Sequence, residues 1–191
     1  MPYSKEHTRK TRASIIESAR ILFNVHGFQS VTIDMVMKRA GLTRGGFYTH
    51  FKNKEELFAA AISSFLMGRG AQWRDEAGID VTQMRAETAE QMISSYLSDA
   101  HLGDVEDQCP MIALPSDVAR SGDEVKGAYQ ELLTAMVWLF ESSLEAKGKP
   151  DRSKALSLAA TCVGGMILAR TLPDSALAEE VRAAALASAL A

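Results

Sequence analysis

Only two of the 191 residues are cysteine, Cys109 and Cys162, too far apart to form a Cys-x-x-Cys pair. A disulfide framework and a thioredoxin-type redox pair are thereby excluded, and reduced cytosolic thiols are the default. The four histidines, His7, His26, His50 and His101, are scattered without metal-ligand spacing, and no phosphate-binding loop is present. Long apolar runs are missing as well. The longest charge-free one, 155–169, is 15 residues, short of the roughly 20 needed to span a bilayer, so it reads as a buried helix. No signal peptide is expected, since the first residues are polar and charged up to Ile15. No alternating strand pattern and no internal repeat interrupt the chain. These absences leave an all-α protein with no metal, no cofactor and no membrane partner as the expectation.

Charge is present but unevenly spread. Residues 1–54 carry 10 Lys/Arg against 3 Asp/Glu, a net +7, while residues 55–191 carry 11 against 21, a net −10. A basic head on an acidic body predicts an anionic polymer as partner of the head alone.

The most informative stretch is 32–56, TIDMVMKRAGLTRGGFYTHFKNKEE. It reads as two short helices joined by a tight turn, the layout that sets a second helix in a DNA major groove. Gly41 supplies the turn residue with positive φ. Thr32 and Thr43 are the expected hydroxyl N-caps of the two helices. The second helix, Thr43–His50, mixes Arg44, Gly45, Gly46, Tyr48, Thr49 and His50 with Phe47 and Phe51. Arg44 stands in its first turn, where a side chain reaches base edges, and Arg bidentate to guanine is the commonest specific contact. Two glycines weaken a helix by about 1 kcal/mol each relative to Ala, a cost that close backbone approach to DNA would offset. Phe47 and Phe51 read as core. Lys5, Arg9, Lys10 and Arg12 form either a mobile arm attracted to phosphates or a solvated tail.

Taken together, residues from about Arg12 to Leu57 resemble the DNA-binding domain of the TetR family of transcriptional repressors. The residues that carry the resemblance are His26-Gly27-Phe28, Val31-Thr32, Ala40 to Thr43, Gly45, Phe47-Tyr48, His50-Phe51, Lys54 and Leu57. It implies a homodimeric regulator, most simply a cytoplasmic repressor, that binds a palindromic operator and is released by an effector. It further implies phosphate contacts from Tyr48, His50 and Lys54, with Thr32, Thr43 and Thr49 on the same side. Similar repressors often carry Ser, Thr or Ala where this chain has Gly46. The expected division is a helix-turn-helix domain over 1–53 and a helical effector-binding and dimerisation domain over 54–191.

Within the body, Asn53 and Glu56 read as a capping pair for a helix reaching about Arg74, with Leu57, Ala60, Ala61, Ser64, Phe65 and Gly68 as its buried stripe. Another helix follows through Met84, Met92, Ile93, Tyr96 and Leu97. His101–Gln108 reads as a loop, Cys109-Pro110 as the start of a short helix bent at Pro115. Two helices, near 123–147 and 151–172, have more apolar surface than one small core can bury, which predicts a four-helix dimer interface. Ala159, Ala160, Gly164 and Gly165 would allow close approach there. Effector-site candidates are Met92, Tyr96, Met111, Trp138 and Cys109, Met and aromatics being adaptable binders. Cys109, at a helix start, would feel the positive end of the dipole, and its surroundings look like those in family members that sense electrophiles. A cysteine-dependent redox enzyme and a non-DNA helical adaptor are the alternative readings, though an adaptor leaves the basic head unexplained.

Overall fold

The computed structural model describes residues 5–191. In chain order it comprises α1 (Lys5–Ser30), α2 (Ile33–Arg39), a 3₁₀ helix (Arg44–Thr49), α3 (Lys54–Met67), α4 (Arg69–Glu76), α5 (Thr88–Tyr96) and α6 (Asp99–Leu102). A 3₁₀ turn (Val105–Asp107), α7 (Pro110–Ala113), α8 (Pro115–Ala119), α9 (Asp123–Ala146), α10 (Arg152–Thr171) and α11 (Ser175–Leu190) complete it. Among the described residues there is no strand, and no helix is long and apolar enough to cross a membrane.

Two compact units divide the chain, and their boundary differs from the sequence-based one. The first gathers Met1–Met67 with Val105–Gln130; the second gathers Gly68–Asp104 with Glu131–Ala191. The expected boundary at 53/54 falls just before α3, whose Leu57, Phe58 and Ile62 are fully buried and whose main packing partner is α1. Burial assigns this helix to the head unit, whatever its later role.

The first unit is built on a ring cluster. Phe58 packs edge-on against Phe23 and stacks on Phe28, with centroids 4.8 Å apart in both pairs. Gly27 breaks α1 with φ +73° and ψ 165°, which turns Phe28 back into that cluster. A polar seam joins the unit's two sequence segments. The buried Arg20 guanidinium donates to Glu17 and to the Glu106 carbonyl, at 2.7 and 2.6 Å. Asn24 Nδ2 donates to the Gln108 carbonyl at 2.8 Å. Burial opposes the Arg20 charge, but hydrogen bonding and attraction from Glu17 and Asp107 more than offset it and raise its pKa.

The second unit packs α10 on α11 and both on α5. Asp151 and Asp174 cap α10 and α11 by accepting from Lys154 N and Ala176 N, at 2.9 Å each. A Cβ on Gly165 would stand 2.9 Å from the Ala185 Cβ, so this glycine serves packing inside one chain. Ala159 is buried with it, whereas Ala160 is exposed and Gly164 half-exposed. Only the latter two remain available to a partner. The helix expected from Asn53 to about Arg74 is interrupted at Gly68 (φ −105°, ψ −113°), and Gly68 is exposed instead of closing a buried stripe. Met84 lies ahead of α5, outside any helix, and the expected loop 101–108 contains the end of α6 and a 3₁₀ turn.

Candidate nucleic-acid interface

The turn between α2 and the 3₁₀ helix is closed by local chemistry. Thr32 Oγ1 accepts from Met35 N at 3.2 Å, capping α2. At its other end Gly41, at φ +70°, donates to the Lys38 carbonyl, and Leu42 N donates to the Met37 carbonyl at 2.8 Å. That pair of bonds is the Schellman closure, which requires a left-handed residue where Gly41 stands. Thr43 then enters in extended conformation, but its hydroxyl makes no capping bond. The backbone does that work, Gly46 N donating to the Thr43 carbonyl at 3.1 Å. The expected side-chain cap is corrected accordingly: a tight 3₁₀ start brings the carbonyl within reach of an N–H three residues on.

The segment Arg44–Thr49 has one face inward and one outward. Phe47 is 0% and Phe51 2% exposed, their rings 5.7 Å apart, and the Arg12 guanidinium lies 4.5 Å from the Phe51 ring centroid. Both rings are core, as expected, and they anchor the segment. Arg44, Gly45, Tyr48 and Thr49 face outward with Thr32 and Thr43, and His50 and Gly46 are half-exposed. Tyr48 is 61% exposed although it stands edge-on against buried Phe47. A Cβ on Gly45 would meet nothing within 4 Å, and one on Gly46 only the Met37 terminal methyl at 3.6 Å. Neither glycine has positive φ. Nothing inside the protein demands glycine at these two positions.

Two basic residues are placed differently from expectation. Arg44 Nη1 donates to Asp34 Oδ2 at 2.8 Å, a contact the sequence reading missed. Lys54, expected on a phosphate, turns inward. Its ammonium donates to the Phe28 and Val31 carbonyls at 2.9 and 3.0 Å and lies 4.2 Å from the Phe28 ring centroid. Burial lowers its pKa. The carbonyls at the end of α1 serve as acceptors for this cation in place of water. The basic stretch read either as a mobile arm or as a solvated tail is helical from Lys5 onward, with Lys10 paired to Glu6 at 2.8 Å.

The five effector candidates are divided between the two units. Cys109 and Met111 belong to the first unit, Met92, Tyr96 and Trp138 to the second. Four of them are buried, and Trp138 is 49% exposed. A cleft of about 360 Å³ in the second unit is lined by Ile93, Leu144, Leu158 and lysines 147, 149 and 154, and by none of the five. Cys109 is 2% exposed and precedes a helix of four residues. Cys109 thus stands at a helix start, as the sequence predicts, with a single turn of aligned dipoles ahead of it. Cys162 is fully buried and its thiol is pushed up to about 12 by burial, as inert packing requires. Among the described residues no group of three His, Cys, Asp or Glu could hold a metal ion.

Residues 15–61 match the family model described as bacterial regulatory proteins, tetR family. The chain is 42% identical over 65 residues to the transposon Tn10 TetC protein of Escherichia coli, covering 34% of this chain and 33% of that one. It is 43% identical over 61 residues to the HTH-type transcriptional regulator TtgR of Pseudomonas putida, covering 32% and 29%. The chain thus spans about a third of the length of the curated relatives it matches. Over its whole length it shares the fold of a TetR-family transcriptional regulator from Cytophaga hutchinsonii, with a TM-score of 0.74, 22% identity and coverage of 100% and 97%. Residues 15–61 thus match the N-terminal segment of the tetR family of bacterial regulatory proteins, and the chain as a whole has the fold of a solved TetR-family regulator.

Proposed function

We propose that this protein is a cytoplasmic DNA-binding transcriptional regulator, a repressor that binds a palindromic operator as a homodimer and releases it when an effector binds. The carrying observation is the outward face of Arg44–Thr49. It presents Arg44, Tyr48, Thr49 and two glycines with open space above them, on a segment anchored by buried Phe47 and Phe51. The +7 head supports this reading, as do relatives named as transcriptional regulators. Thr32, Thr43 and His50 flank the face and supply phosphate contacts. Paired reading segments must fit successive major grooves about 34–36 Å apart. The effector acts by preferring a conformation in which they do not.

Modification of Cys109 is one route to release. The adjoining Gln108 carbonyl accepts from Asn24 of α1, so displacing this segment disturbs the helix that supports the head. Cys109→Ser binding that still collapses under N-ethylmaleimide would remove that route and leave a small-molecule effector.

The reading as a whole is tested by footprinting and by titrating labelled operator at fixed salt. Arg44→Ala is expected to flatten sequence preference, whereas Tyr48→Phe weakens all sequences alike by a few-fold. Unchanged affinity in both variants would overturn it.

A further inference from the structure

The basic head holds three acidic residues in 1–54, Glu6, Glu17 and Asp34. Glu6 is paired with Lys10 at 2.8 Å and Glu17 with Arg20 at 2.7 Å, both within α1. Asp34 differs. It stands in the first turn of α2 and its Oδ2 accepts from Arg44 Nη1 at 2.8 Å, across the turn and on the face proposed to meet DNA. A carboxylate on such a face repels phosphate and lowers affinity. The pair is also a poor stability device, because both side chains are more than half exposed, 62% and 57%.

What the contact supplies is direction. Asp34 accepts from one terminal nitrogen of the Arg44 guanidinium and so restricts the orientation of its plane. A guanidinium carries five N–H donors in one plane. With one terminal nitrogen engaged by Asp34, donors remain on the other terminal nitrogen and on Nε. Two donors in a fixed plane are what a guanine O6/N7 edge accepts. An arginine already held loses less rotational freedom on meeting that edge.

We propose that Asp34 is a positioning residue that determines specificity: it holds Arg44 so that one guanine in each half-site is selected. The proposal rests on the DNA-binding reading above and adds a role for a residue that touches no base.

The experiment is a double-mutant cycle on the full-length protein with wild type, Asp34→Asn, Arg44→Ala and the double variant. Each is titrated at fixed salt with operators in which every base pair of the footprint is varied. Arg44→Ala is expected to flatten preference at one position per half-site by about five- to a hundredfold. Asp34→Asn flattens the same position by about two- to tenfold and leaves the thermal midpoint unchanged. The double variant matches Arg44→Ala alone, because Asp34 acts through Arg44. Asp34→Glu, which reaches the same nitrogen, restores part of the preference. If the two substitutions add in full, or Asp34→Asn raises affinity for every sequence equally, Asp34 is only a local charge and the proposal falls. If Arg44→Ala leaves every position unchanged, the groove assignment falls first and the role of Asp34 falls with it.

Discussion

His101 is 8% exposed, its ring centroid 4.5 Å from those of both Trp73 and Tyr96, and its Nε2 is buried with no hydrogen-bond partner. Burial, and then the nearby charge of Arg69, pushes its pKa down to about 4. Its folded-state pKa therefore lies below the unfolded value of about 6.5. Between those two values the unfolded chain binds a proton that the folded chain refuses, so stability falls as pH drops through this window and levels off beneath it. Comparing urea denaturation of wild type and His101→Gln from pH 7 to pH 4 isolates the effect. The stability difference between them should change by on the order of 2–3 kcal/mol, wild type losing the more. Parallel curves would mean that the imidazole is protonated while folded. Lys54 makes the complementary point for a cation. If its role is to hold the end of α1, Lys54→Met destabilises the fold by about 1 kcal/mol while the salt dependence of operator binding keeps its slope. A shallower slope would return Lys54 to the phosphate contacts.

The 3₁₀ helix Arg44–Thr49 carries a conflict between stability and binding that substitution can expose. Gly45 has open space beside it and no positive φ, so Gly45→Ala should leave the fold unharmed or stabilise it by about 0.5–1 kcal/mol. The added methyl stands on the outward face, and operator affinity should drop about tenfold or more. A thermal melt and a binding titration on one preparation check both signs; unchanged affinity would sever this glycine from DNA. Much of this element could be read from sequence, because its punctuation is local. Gly27, Gly41, Thr32, Asp151 and Asp174 end or cap helices through partners within a few residues, and Phe47 and Phe51 declared themselves by spacing. Asn53 accepts from Glu56 N as expected, while Glu56 reaches Lys52 N instead of completing the box with Asn53. What could not be read is what depends on the tertiary fold. The Asp34–Arg44 pair bridges two elements, the carbonyls that accept from Lys54 are 23 and 26 residues away, and two of the partners of Arg20, Glu106 and Asp107, are 86 and 87 away. The break at Gly68 escaped notice because a single exposed glycine is tolerated in helices as often as it ends them.

At the scale of the whole molecule, α9 and α10 pose the remaining question. Trp138 is 49% exposed on α9, and Leu156 and Leu168 are 46% and 56% exposed on α10, with Ala160 open beside them in sequence. Under the proposed function these exposed side chains belong to an association surface. The homodimer of the proposed function is its natural occupant, because a two-fold interface uses the same patch twice. A centrally placed tryptophan in such an interface is a typical hot spot, worth about 2 kcal/mol or more. Trp138→Glu should therefore weaken dimerisation at least thirtyfold, read by analytical ultracentrifugation across concentrations. Far-ultraviolet circular dichroism should not change, since this side chain is outside the core. Operator affinity should fall with the dimer and recover partly at high protein concentration, because each half-site is still read by an intact head. A variant that stays dimeric, or a wild type that sediments as a monomer throughout, would leave those apolar residues to some other partner.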